Sequence, residues 1–158
     1  MNIRIICIGK LKESYWRDAV AEYSKRLGAY CNLSIVELKE ARLPANASAA
    51  DETAVKEKEG ESILAKIGDG DFAVTLEIEG KELSSTDLAY EMEKISMRSS
   101  TVDFIIGGSL GLSDAVKKRA DMKFSFGRIT LPHQLARVVL LEQIYRAFKI
   151  NSNETYHK

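Results

Sequence analysis

Runs of branched and apolar residues alternate along this chain with stretches whose apolar positions recur every third or fourth residue, and that alternation admits few folds. The strand-like runs are Ile3 to Ile8, Leu33 to Leu38, Phe72 to Ile78, Val102 to Ile106, and Met122 to Phe126 continued by Ile129 to Leu131. The helical stretches between and after them are Ser14 to Leu27, Asp51 to Ile67, Ser84 to Met97, Ser113 to Ala120 and Gln134 to Ile150. A strand feeding a helix five times over predicts an α/β sandwich: one parallel sheet, helices on both faces, a single domain over residues 1–158.

In such a sheet the loops at the carboxyl ends of the strands bind ligands, because the strands hold the backbone rigid while glycine permits close approach. Phe104-Ile105-Ile106 ends abruptly in Gly107-Gly108-Ser109-Leu110-Gly111-Leu112, and a turn at Glu79-Gly80-Lys81 is expected to close the third strand. The fifth strand runs out at Pro132-His133, just before the longest helical stretch. A ligand pocket walled by these three strand ends is the expectation. Residues 115–158 hold nine basic and three acidic residues, whereas residues 37–93 hold six and fifteen. The basic excess therefore falls on the pocket side, which favours an anionic partner there, although the chain as a whole carries no net charge.

Other features narrow the reading. No apolar run approaches the roughly 18 residues a membrane span needs, and the opening Met1 to Ile8 is too short for a signal-peptide core, so a cytoplasmic protein is expected. Cys7 and Cys31 read as two reduced thiols, and no cluster of Cys, His and acidic residues has ligand spacing, so no metal is expected. Ser48-Ala49-Ala50-Asp51 has the form of a capping box. Gly60 interrupts the helix that follows, at a cost of about 1 kcal/mol relative to alanine, so it either packs closely or weakens the helix. Residues 40–50 read as a mobile connection. The last helix places His133, Arg137, Leu140, Leu141, Ile144 and Phe148 on one face, with Val138, Val139 and Tyr145 beyond its edges, and a helix so broadly apolar predicts a homodimer.

Taken together, Gly107 to Leu112, Ile129-Thr130-Leu131-Pro132-His133, Arg137-Val138, Tyr145-Arg146-Ala147-Phe148 and the ending Tyr156-His157-Lys158 resemble the small bacterial SPOUT methyltransferases that act on ribosomal RNA. The resemblance runs from Gly9-Lys10 and Glu22-Tyr23 to the last residue. It implies transfer of a methyl group from S-adenosylmethionine to N3 of a pseudouridine in large-subunit ribosomal RNA, within the ribosome. It also implies a C-terminal trefoil knot over about residues 102–158, which no pattern of apolar residues could suggest. Carried over by position, Leu76, Gly107, Gly108, and Gly127, Arg128, Ile129, Thr130, Leu131 and Pro132 become the expected cofactor contacts.

For the chemistry, an imide nitrogen needs a base or a nearby cation before it attacks a methyl group at neutral pH. Tyr156 and His157 on the tail are the first choice, then His133 at the helix start, with Arg146 and Arg137 as cations. Each has an ordinary alternative. His133 can satisfy backbone groups at a helix start, Arg146 can pair with Glu142 four residues before it, Arg137 can pair across a dimer interface, and the tail can fray. Two rival functions remain at this level: a dinucleotide-binding enzyme, which would want G-x-G-x-x-G after the first strand where only Gly9 stands, and a non-catalytic RNA-binding module.

Overall fold

A computed structural model describes residues 1–158. Strands β1 (Asn2–Ile8), β2 (Asn32–Leu38), β3 (Phe72–Glu82), β4 (Thr101–Ile106) and β5 (Met122–Ser125) alternate with helices α1 (Ser14–Leu27), α2 (Ala49–Leu64), α3 (Ser85–Ser96), α4 (Asp114–Arg119) and α5 (His133–Asn151). The five strands form one sheet in the order β2-β1-β4-β3-β5, and all four pairings are parallel. The α/β sandwich expected from the alternation is the fold observed.

The strand side chains divide by the period of two between the sheet's faces. Ile3, Ile5, Val74, Val102 and Phe104 pack with residues of α1, α3 and α5, including Val20, Leu88, Met92, Leu140, Leu141 and Ile144. Ile6, Ile8, Ala73 and Ile105 pack on the other face with Ile63 of α2 and Val116 of α4. Truncating a fully buried leucine such as Leu140 would cost about 2–5 kcal/mol. The helices that cover these faces start where side-chain chemistry fixes them. Ser48 and Asp51 form the expected capping box of α2, and Ser84 with Asp87 repeats it on α3, each worth about 1 kcal/mol.

Three readings of the sequence need correction. Ile129 to Leu131 does not continue β5: the strand stops at Ser125, Gly127 takes a φ of 105°, and the chain leaves the sheet edge to reach the start of α5. β3 does not end at Glu79-Gly80-Lys81 either. Its pairing with β5 slips between Leu76 and Lys81 and then resumes as Lys81 to Phe124 and Glu82 to Ser125. The intervening bulge throws Glu77 to Glu79 out of the ladder, with Ser125 Oγ donating to the Ile78 carbonyl at 2.8 Å to hold it. Tyr15, which the repeat Tyr15, Ala19, Tyr23 and Leu27 along α1 puts on the packed face of that helix, is 62% exposed. Gly60, by contrast, resolves to close packing: a methyl group there would collide with Ser113 Oγ and sit 3.0 Å from Ser113 Cβ.

Candidate active site

The carboxyl ends of β3, β4 and β5 meet around one cleft of about 600 Å³, a volume in the range of small-molecule sites. The β3 bulge supplies Leu76, Glu77, Ile78 and Glu79; the β4–α4 loop supplies Gly107 to Leu112; the β5–α5 loop supplies Gly127 and Ile129 to Pro132. Phe124 and Phe126 stand edge to face beside them, their centroids 5.2 Å apart, and His133 and Ala136 of α5 close one side. Of the expected cofactor contacts, Leu76, Gly107, Gly108, Gly127, Ile129, Thr130, Leu131 and Pro132 all line the cleft. Arg128 is the exception, an exposed residue that contributes nothing to the wall.

The Gly107-Gly108 loop leaves little room for a side chain. A side chain on Gly108 would meet Glu59 Oε1 at 3.0 Å and Ile8 Cγ2 at 3.2 Å. Glu59, 4% exposed, stands behind the loop and accepts a hydrogen bond from the Ala41 amide at 3.0 Å. Burial pushes its carboxyl above the ordinary value, with the Ala41 N–H pulling in the opposite direction. One carboxylate thus ties Ala41 to the back of the glycine loop.

Three of the four residues expected to carry the chemistry come together, away from this cleft. Tyr156 packs its ring edge-on to Tyr145 at 5.0 Å and donates its hydroxyl to Glu142 Oε1 at 3.2 Å. Arg146 lies 4.7 Å over the Tyr156 ring, pairs with Glu142 Oε1 at 2.7 Å, and approaches His157 Nδ1 to 3.3 Å. Burial first, and then the Glu142 charge, raise the Tyr156 phenol above its ordinary value. The tail is not frayed: Glu154 ties it down through Lys149 and through the Tyr30 hydroxyl, 2.7 Å away. The fourth residue, His133, lines the cleft. Arg146 lies thirteen positions after it, about 20 Å along the helix axis. A single chain therefore holds the cleft and the tail cluster at opposite ends of α5.

Arg137 corrects another expectation. It is 2% exposed and committed inside its own chain, donating to Glu37 Oε2 at 2.8 Å and to the Gly9 carbonyl at 3.3 Å. It fastens the first turn of α5 to the ends of β1 and β2. The stretch Leu76 to Gly80 is a pocket wall in the sequence reading too, but that reading singles out neither the Glu77 carboxylate nor Lys117, and both line the cleft. The available signal was a glutamate two places after Thr75 in an otherwise apolar strand.

A three-loop cleft at the carboxyl edge of a parallel sheet, with glycine loops and an adjoining long helix, places the protein among α/β proteins whose ligand site lies at the strand ends. A family model described as "Predicted SPOUT methyltransferase" matches residues 1–157, and the chain belongs to that family. The "Ribosomal RNA large subunit methyltransferase H" of Ligilactobacillus salivarius is 55% identical, with 100% of each chain covered. That of Clostridium acetobutylicum is 52% identical over the same full extent. Among solved structures, a probable methylase family protein from Haemophilus influenzae Rd KW20 superimposes with a TM-score of 0.54 at 15% identity, over 99% of this chain and 70% of that one, a likeness of fold. The chain is thus a SPOUT methyltransferase built on the five-stranded parallel sheet.

Proposed function

We propose that this chain takes S-adenosylmethionine into the cleft and methylates N3 of a pseudouridine in large-subunit ribosomal RNA, working in the cytoplasm on the assembled ribosome as a homodimer. The threaded C-terminal region implied by the family, over about residues 102–158, would hold the three loops together. The observation that carries this reading is the convergence of those loops on one cleft, in a chain whose full-length relatives bear the name of a ribosomal RNA methyltransferase. The residues suit the cofactor: apolar walls from Leu76, Phe126, Ile129 and Leu131 for a purine, and glycine backbone for close approach.

When bound, the cofactor supplies an already activated methyl group, so the protein's task is to align the acceptor nitrogen and favour its anion. Tyr156, His157 and Arg146 are arranged for the second part. With Arg146 able only to donate toward His157 Nδ1, the ring's N–H lies on Nε2 in this arrangement. Together with the phenol and the guanidinium, that N–H stabilises negative charge spread over an imide nitrogen and its flanking carbonyls. His133, at the cleft wall, is in position to accept the departing proton on its imidazole. Because one chain holds the cleft and the tail about 20 Å apart, the complete site requires the tail of one subunit at the cleft of the other.

The direct test is incubation of the protein with radiolabelled S-adenosylmethionine and purified ribosomes, then digestion and nucleoside analysis. Label in a methylated pseudouridine is expected, with far less from stripped ribosomal RNA. No label in any nucleoside would refute the assignment. Deleting Tyr156 to Lys158 should leave cofactor affinity intact and abolish methylation, and loss of both would make the tail a structural element.

A further inference from the structure

Glu77 sits where a carboxylate is costly unless something needs it. Its side chain is 9% exposed, and it lines the cleft from within the β3 bulge. Oε2 is satisfied by the Thr75 hydroxyl at 2.6 Å. Oε1 has only Lys117 Nζ at 3.8 Å, an ion pair beyond hydrogen-bond length. The carboxylate is nine-tenths buried as a whole, yet the oxygen without a hydrogen bond is the one still open to solvent, so a donor on a molecule in the cleft can reach it.

We infer that Glu77, balanced by Lys117, recognises the vicinal hydroxyls of the ribose in the methyl donor; this rests on the reading above that the cleft holds S-adenosylmethionine. Charge argues for hydroxyls. Lys117 already neutralises the carboxylate, so the pair attracts no further cation strongly, whereas a carboxylate with free lone pairs accepts well from two adjacent O–H donors. Position argues for the sugar. Thr75 and Glu77 face α4, while Leu76, His133 and Ala136 form the α5 side of the cleft, where a tail from a second subunit has access. The reactive methyl belongs at that accessible side, and the sugar then lies toward Glu77.

Calorimetry with S-adenosylhomocysteine and its 2′-deoxy and 3′-deoxy forms tests this with a Glu77→Gln variant, which keeps the size of the side chain and an acceptor for Thr75. Wild-type protein should prefer the ribonucleoside by about tenfold or more. The variant should lose that preference: it binds S-adenosylhomocysteine about tenfold more weakly, and the deoxy forms as the wild type does. Equal weakening of all three ligands would assign Glu77 a structural role and overturn the inference. So would a wild type indifferent to the hydroxyls, although the cofactor reading would then stand. A wild type that binds none of the ligands would remove both.

Discussion

Replacing Gly60 with alanine sets two physical effects against each other. In the interior of α2, alanine favours the helix over glycine by about 1 kcal/mol. The added methyl group, however, would press on Ser113 at both Oγ and Cβ, with Val116 Cγ2 at 3.4 Å behind it. Ser113 is no loose neighbour: it is 5% exposed and caps α4 by accepting from the Val116 amide at 3.4 Å. Overpacking of this kind costs about 1–3 kcal/mol, and a lost cap adds about 1 kcal/mol. The net expectation for Gly60→Ala is destabilisation by about 1–3 kcal/mol. Ser113 also ends the Gly107 to Leu112 loop, so affinity for S-adenosylhomocysteine should fall in parallel. Adding Ser113→Gly removes both colliding atoms at a cap cost of a few tenths of a kcal/mol, and the double variant should return to within about 1 kcal/mol of the parent. Urea denaturation at one fixed protein concentration measures all four corners of this cycle. A Gly60→Ala variant as stable as the parent would refute the close-packing account, as would a double variant no better than the single.

Two further outcomes follow from buried charge. Because burial raises the Glu59 carboxyl above its ordinary 4.5, the folded protein binds a proton there more tightly than the unfolded chain does. The ionised group therefore disfavours the fold above that window, and the penalty vanishes as pH falls through it. Glu59→Gln, which still accepts from Ala41, should be at least as stable as the parent at pH 7–8 and lose that advantage towards pH 4.5, read from denaturation curves across the range. The Glu37 and Arg137 pair should respond unequally to truncation. Glu37→Ala strands a guanidinium that is 2% exposed, whereas Arg137→Met leaves a carboxylate that water reaches, so the first should be the more destabilising. The reverse order in thermal melts would show that water reaches Arg137 as well.

Elements were legible in the sequence wherever periodicity alone decides them. β1, β2 and β4 are apolar runs ended by turns, and α2 and α3 open on serine with aspartate three residues on, a local chemistry that needs no tertiary context. The misreadings fall where tertiary packing shapes the loops and local propensity misleads. Ile129-Thr130-Leu131 has strand-forming residues, yet Ile129 is 76% exposed, because the segment serves as a cleft wall after leaving the sheet. Glu79-Gly80-Lys81 has turn residues, yet Gly80 lies against the Lys123 and Phe124 backbone so closely that only glycine fits the bulge. The cleft's location was readable from three strand ends. The distance between His133 and the tail cluster was not, since it depends on α5 staying helical through its whole length and on the tail folding back over it.

That length carries a last consequence. Leu135, Val139, Glu142 and Arg146 lie on the outer side of α5, none of them fully buried, while Ala136, Leu140 and Ile144 face the core. A two-fold dimer that brings each tail cluster to the other subunit's His133 must run the two copies of α5 antiparallel. The symmetry axis then passes midway between positions 133 and 146, beside Val139, which meets its own copy. A Val139→Glu substitution would set two carboxylates against each other across that axis. The half-buried position in the isolated chain tolerates the change, so the fold should survive with an unaltered circular dichroism spectrum. Sedimentation should then show monomers, with S-adenosylhomocysteine still bound and methylation of ribosomes lost. A Val139→Glu protein that remains dimeric and fully active would place the axis elsewhere and break the link between α5 and the composite site.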